Sequence, residues 1–308
     1  MKTLKMLLIY IILNFCLVLN PEAREPIHAV ATIGQIADIV KNIGSENINV
    51  QRLIGPGVDP HLYSASESDM DKLSSADIIF YNGLSLESKM EVALQKMGAT
   101  IKTVPVSETL PVSMRLEDQT LQGQHDPHIW FDVTLWILAA EKIRDELIAF
   151  APELKDQFSA NADAYIAKLK ELHEYVHNRA FELTGEERVL VTTHDAFRYL
   201  GRAYDFEAVG LHGITTQSSV GAEEVARLAD FIVERKVKMI FVESSIPAKN
   251  LRDVQEAVKS RGWDVAVGGE LFSDNTGSEE GPEGAYIGMM TYNIDTIVNS
   301  VREKTTAQ

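Results

Sequence analysis

Short apolar runs alternate with helical patterns over the first third of the chain. Residues 27–32, 48–54, 78–81 and 101–106 are brief runs rich in apolar and β-branched side chains, and they read as strands. Between them, residues 35–43, 67–73 and 86–96 repeat apolar positions at helical spacing, as a helix with one buried face does. Such alternation predicts a parallel sheet wrapped by helices. Residues 113–127 are polar and read as a loop. A further helix starts near His128 and runs through Trp136, Ala140 and Ile143.

The pattern then changes. From Phe150 through Phe158, Tyr165, Leu172 and Val176 to Leu183, apolar residues recur in steps of three or four and form one stripe. Pro152 suits the first turn of such a helix and Gly185 suits its stop. About 32 residues at 1.5 Å each make a rod of roughly 48 Å, too long for one crossover in a small sheet. It reads as a rigid connector. Beyond it, strand-like runs at 188–193, 238–243 and 264–268 alternate with helical patterns at 195–203, 222–236, 251–261 and 285–302. The expected fold class is α/β, with two parallel-sheet lobes joined by one long connecting α-helix. The expected divisions are a first lobe at 24–150, the connecting helix at 151–185 and a second lobe at 186–308.

The first residues belong to neither lobe. Lys2 and Lys5 precede an uncharged run from Met6 to Leu19, the layout of a secretory signal. The run is short for a membrane span, which needs ~20 residues. The chain turns polar at Asn20-Pro21-Glu22-Ala23, so 1–23 reads as a cleaved signal peptide and the protein as periplasmic. Cys16 follows Phe15 inside the apolar run, which suits the signal better than a lipid-attachment site. It is the one cysteine among 308 residues. The exported chain therefore has no disulfide and no thiolate metal ligand. With 45 acidic and 29 basic residues, a net charge of -16 argues against nucleic acid and anionic lipid as partners.

Any metal chemistry must rest on His, Asp or Glu, and there are eight histidines. Two share a context, Asp59-Pro60-His61 and Asp126-Pro127-His128. Proline fixes its own φ and extends the residue before it, so each histidine follows a stiffened turn. His194 directly follows the run 189–193, and in parallel sheets ligands collect at the carboxyl ends of strands. Asp274 lies in the segment after the 264–268 run, behind Gly268 and Gly269. His61 and His128 come from the first lobe, His194 and Asp274 from the second, and all four are placed to face the gap between lobes. Three imidazoles and one carboxylate make a competent set for a divalent transition metal. With every position filled by protein, the set suits holding a metal rather than catalysis with it. Glu243, at the end of the 238–243 run, is a candidate support for a histidine ligand. Trp130, Phe131 and Trp136 are expected to pack under the site, and His125 reads as a solvated loop histidine, with an auxiliary metal contact as the alternative.

A second pattern competes. His173-Glu174-Tyr175-Val176-His177 matches H-E-x-x-H, the helix of zinc metallopeptidases, with Glu174 as general base. It sits on the charged connector, beside the apolar stripe, where no enclosed substrate cleft is implied. No phosphate-binding glycine loop and no G-x-S-x-G elbow is present.

The segments 57–61, 126–132, 193–197, 241–247 and 268–274, in this order and spacing, resemble the TroA-like solute-binding proteins of bacterial metal ABC transporters (cluster A-I type). The resemblance covers about residues 27–301. It implies two lobes joined by a long helix, with one Zn2+ or Mn2+ ion held between them by His61, His128, His194 and Asp274. It also implies delivery to a membrane permease with its cytoplasmic ATPase, by a monomer that is not an enzyme. Manganese members often have Glu where this chain has His194, and zinc members often have a His-rich loop where 113–127 holds only His125. A nitrogen-rich site favours Zn2+ over Mn2+ by intrinsic affinity.

Overall fold

In the computed structural model, which describes residues 24–118 and 123–306, the first sheet is built of four strands. They are β1 (Ile27–Ala31), β2 (Ile48–Arg52), β3 (Ile78–Tyr81) and β4 (Lys102–Pro105), ordered β2-β1-β3-β4 and all parallel. The central strands are nearly continuous apolar runs because helices cover both faces. The crossovers are α1 (Gly34–Gly44), α2 (Glu67–Ser74) and α3 (Glu91–Met97). A capping box between Ser66 and Asp69 starts α2. The helix expected at 86–96 is shorter, because Ser88–Met90 forms a 3-10 turn before α3. The expected loop at 113–127 contains a 3-10 turn, Val112–Met114, and an antiparallel pairing of Glu117 with His125. The signal-peptide reading and Cys16 lie outside the described residues.

Asp132 caps α4 (Val133–Phe150) by accepting the Thr134 N–H. A 3-10 turn at Pro152–Leu154 leads into α5 (Lys155–Ala180), a rod of about 39 Å. Its stripe from Phe158 to Ala180 is buried, and α1, α4 and the final helix α9 (Tyr286–Thr306) pack along it. Arg179 and Tyr175 on α5 both bind Asp295 on α9. Two packed helices thus run alongside each other over much of their length.

The second lobe holds β5 (Val189–His194), β6 (Glu207–His212), β7 (Met239–Glu243) and β8 (Ala266–Leu271). β5 pairs with β6 and β7 with β8, both in parallel, and β5 lies beside β7. The two pairs are separate two-stranded sheets, and with β5 beside β7 they stand in the spatial sequence β6-β5-β7-β8, the relative order of the first sheet. Strand β6 carries no clear sequence signal, since Glu207 and the half-buried Ala208 and Val209 break the apolar run. The last strand runs later than the 264–268 reading, so Gly269 is a strand residue as well as Gly268. A Cβ at Gly268 would lie 2.5 Å from the Phe241 ring, so glycine here allows close packing. The helices are α6 (Arg198–Tyr204), α7 (Ala222–Glu234) and α8 (Lys249–Ser260).

Alternation along β5 and β7 divides the interior. Val189, Val191 and Ile240 face an outer apolar cluster under α7 and α8. Leu190, Met239 and Phe241 face inward and join one core that continues through α9 and α5 to the first sheet. Among the described residues, no helix is long and apolar enough to cross a membrane.

Candidate metal centre

All four predicted residues meet. His61 follows β2 on the loop stiffened by Pro60, and His128 precedes the 3-10 turn Ile129–Phe131. His194 is the last residue of β5, and Asp274 lies three residues beyond β8. Their donor atoms lie within 4.8 Å of one another, and the four side chains are buried, at 0–1 % exposure.

The contacts are unusual for a protein interior. His128 Nε2 lies 3.3 Å from His61 Nε2 and 3.3 Å from His194 Nε2. Asp274 Oδ1 lies 3.3 Å from both His128 Nε2 and His194 Nε2. Neither oxygen of Asp274 has a hydrogen-bond partner. A carboxylate and three ring nitrogens that converge out of water are costly unless a cation, a proton or a metal ion, sits among them. A tetrahedral ion with bonds of about 2.0–2.1 Å has ligand-to-ligand edges of about 3.3 Å, so the spacing fits such an ion.

Outer contacts aim two of the rings. The Asp126 carboxylate accepts from His128 Nδ1 at 2.7 Å and from its backbone N–H at 3.0 Å. Glu243 accepts from His194 Nδ1 at 2.5 Å and from its backbone N–H at 2.8 Å. Each carboxylate keeps the proton on Nδ1 and leaves Nε2 facing the centre. The two Asp-Pro-His copies differ here. Asp59 Oδ1 accepts only the backbone N–H of His61, while Oδ2 accepts from the Thr216 hydroxyl across the cleft at 2.6 Å. His61 Nδ1 has no hydrogen-bond partner.

The same asymmetry sets the charges. Burial drives the His61 imidazole down to about 3, so it stays neutral. Burial also opposes a charge on His128, but Asp126 and Asp274 outweigh it and raise its pKa. At His194, Glu243 and Asp274 overcome burial and lift the pKa well above its ordinary value. Burial would favour a neutral Asp274, yet His194, His128 and His61 hold it well below the usual carboxylate range.

Trp130 packs its ring 5.2 Å from that of His128 and donates its indole N–H to Ser273 O at 2.9 Å. Phe131 and Trp136 are buried nearby, as the sequence suggests. His125 is not among the four grouped residues. The H-E-x-x-H residues are elsewhere and form no such group: His173 Nδ1 meets the Tyr204 hydroxyl at 3.1 Å, and His177 stacks on Phe181. Sequence reasoning missed Asp126 as the ring partner of His128, although its place two residues upstream was visible. It also missed Thr216 and Asn275, which act across the cleft and carry no local signal.

Residues 29–300 match the family described as ZnuA, the periplasmic component A of a zinc-uptake complex. The chain belongs to this family. It is 48% identical over 269 residues to the zinc-binding protein TroA of Treponema pallidum, covering 87% of each chain. It is 40% identical over 284 residues to the manganese-binding lipoprotein MntA of Bacillus subtilis, covering 91% of this chain and 92% of that one. The solved structure of the periplasmic zinc-binding protein TroA from Treponema pallidum superposes with a TM-score of 0.87 at 46% identity, over 90% of this chain and 99% of that one. Members are solute-binding proteins of metal ABC importers, not enzymes, and nothing favours the peptidase alternative. Membership implies a membrane permease as partner and an extracytoplasmic place of work.

Proposed function

We propose that this protein captures one Zn2+ or Mn2+ ion per chain outside the cytoplasm and hands it to the permease of an ABC importer. His61, His128, His194 and Asp274 are the ligands in this reading. The observation that carries it is the set of four 3.3 Å separations among facing donor atoms of four buried side chains. The relatives named for zinc and manganese support the choice of cargo. Three nitrogens to one carboxylate favour Zn2+ over Mn2+ in affinity.

In the rest of this reading, residues 1–23 are a cleaved signal peptide and the mature chain is a periplasmic monomer. It divides into a lobe at 24–150, a connecting helix at 151–185 and a lobe at 186–308. The permease is driven by a cytoplasmic ATPase. Capture requires neutral imidazoles, and the ion then ties loops from both lobes together.

Elemental analysis of protein purified from its native compartment tests the proposal. One equivalent of Zn or Mn is expected in the wild type, with loss in His61→Ala and His128→Ala. Retention of a full equivalent in both variants would move the site elsewhere.

A further inference from the structure

We propose that Asn275 is a positioning residue for the metal site, strapping the Asp274 loop of the second lobe onto the first. This rests on the reading of Asp274 as a metal ligand. Asn275 is fully buried. Its Oδ1 accepts from the backbone N–H of Gly34 at 2.8 Å and of Thr276 at 3.1 Å. Its Nδ2 donates to Ile54 O and Gly55 O, both at 2.9 Å. Both donors and both acceptor sites of the amide are therefore used, and three of the four partners lie in the first lobe.

Those partners are specific places in the fold. Gly34 is the first residue of α1, whose N-cap residue Ile33 supplies no side-chain cap. Asn275 supplies that function from 241 residues away. Ile54 and Gly55 follow the end of β2, at the start of the loop that carries His61. The neighbours of Asn275 reinforce the strap. Arg52 donates to Thr276 Oγ1 at 3.0 Å, and Ser273 O accepts from the Trp130 indole. The approach is so close that a Cβ at Gly34 would lie 2.0 Å from Thr276 Oγ1 and 2.9 Å from Asn275 Oδ1.

One consequence changes how the site divides. By chain order it splits two and two, His61 and His128 against His194 and Asp274. By hydrogen bonding the residues on either side of Asp274 are tied to the first lobe as well as to Ser245 and Asn293 of the second, so Asp274 is held from both lobes while His194 is carried by the second alone. An asparagine suits this task and an aspartate does not, because two carbonyl oxygens face its Nδ2.

The test compares wild type with Asn275→Asp and Gly34→Ala, which attack the strap from opposite lobes. Zn2+ affinity is measured by chelator competition, the Co2+ absorption spectrum reports ligand geometry, and melting of the metal-free protein reports folding. Each variant is expected to lose about 10–100-fold in Zn2+ affinity and to shift the Co2+ bands. If Asn275→Asp fails to fold, Gly34→Ala decides alone. Lower melting with unchanged affinity and spectrum would overturn the proposal, leaving a purely structural role. Asp274→Asn and His128→Ala are run in parallel. If these two also bind normally, the ligand reading itself has failed, and that outcome is distinct from failure of the strap.

Discussion

Glu243 grips His194 at two points, through the ring Nδ1 at 2.5 Å and the backbone N–H at 2.8 Å. One carboxylate thereby fixes both the tautomer and the height of the ring at the end of β5. Glu243→Gln keeps the shape but removes the charge that makes the imidazole basic. Zn2+ affinity should fall about 10–100-fold in chelator competition. Wild-type affinity would deny Glu243 this part.

Proton competition should be strong and unequal. His128 and His194 have raised pKa values in the metal-free protein, whereas His61 is down near 3. Metal must displace protons from the first two but not from the third. Affinity should therefore fall as pH drops through the raised values, beginning above about 6.5. Calorimetry in buffers of different ionisation heat counts the released protons. A flat affinity from about pH 7.5 to 5 would contradict a three-histidine site. The same two raised values favour the metal-free fold fully below about pH 6.5, and that support is lost as pH rises through them.

Metal should stabilise the folded chain by linkage. At a thousandfold excess over Kd the gain is about 4 kcal/mol, visible as a higher melting temperature. His61→Ala should lose most of the shift because one of the four donors is gone. Zn2+ should give the larger shift at equal concentration, and a larger shift with Mn2+ would refute the affinity order argued from the nitrogen-rich donor set.

Thr216→Val breaks the hydrogen bond from the second lobe to Asp59 without touching a ligand. A bond to a charged group is worth ~1.5–3 kcal/mol, so metal release should quicken by about tenfold or more. Stopped-flow capture by an added chelator reads this rate. An unchanged rate would separate this contact from release.

Glu174→Gln should leave metal content and affinity unchanged, because His173 and His177 are occupied with Tyr204 and Phe181. Peptide hydrolysis by the wild type that is lost in Glu174→Gln would revive the peptidase pattern.

Much of this was legible from local patterns. The strands β1, β3 and β5 are short runs rich in apolar and β-branched residues, and the stripe on α5 is long enough to need no context. The four grouped residues were legible because Pro60, Pro127 and the strand end at His194 mark rigid places. Strand β6 was not, since Glu207 and half-burial erase its period. The end of β8 was misplaced, because in sequence Gly269 does not show that it sits against Thr296 within the strand. Asn275 and Thr216 act over 241 and 157 residues of chain respectively, and no window of sequence holds both ends of such a contact.

The inward core passes without interruption beneath the strands of both lobes, with α5 and α9 as its common wall. Neither half owns a complete interior. Cutting the chain in the connector would expose apolar surface on both pieces, so the molecule should melt as one cooperative unit with a single heat-absorption peak. The two lobes are places for ligands to stand, while the thermodynamic unit is the whole chain.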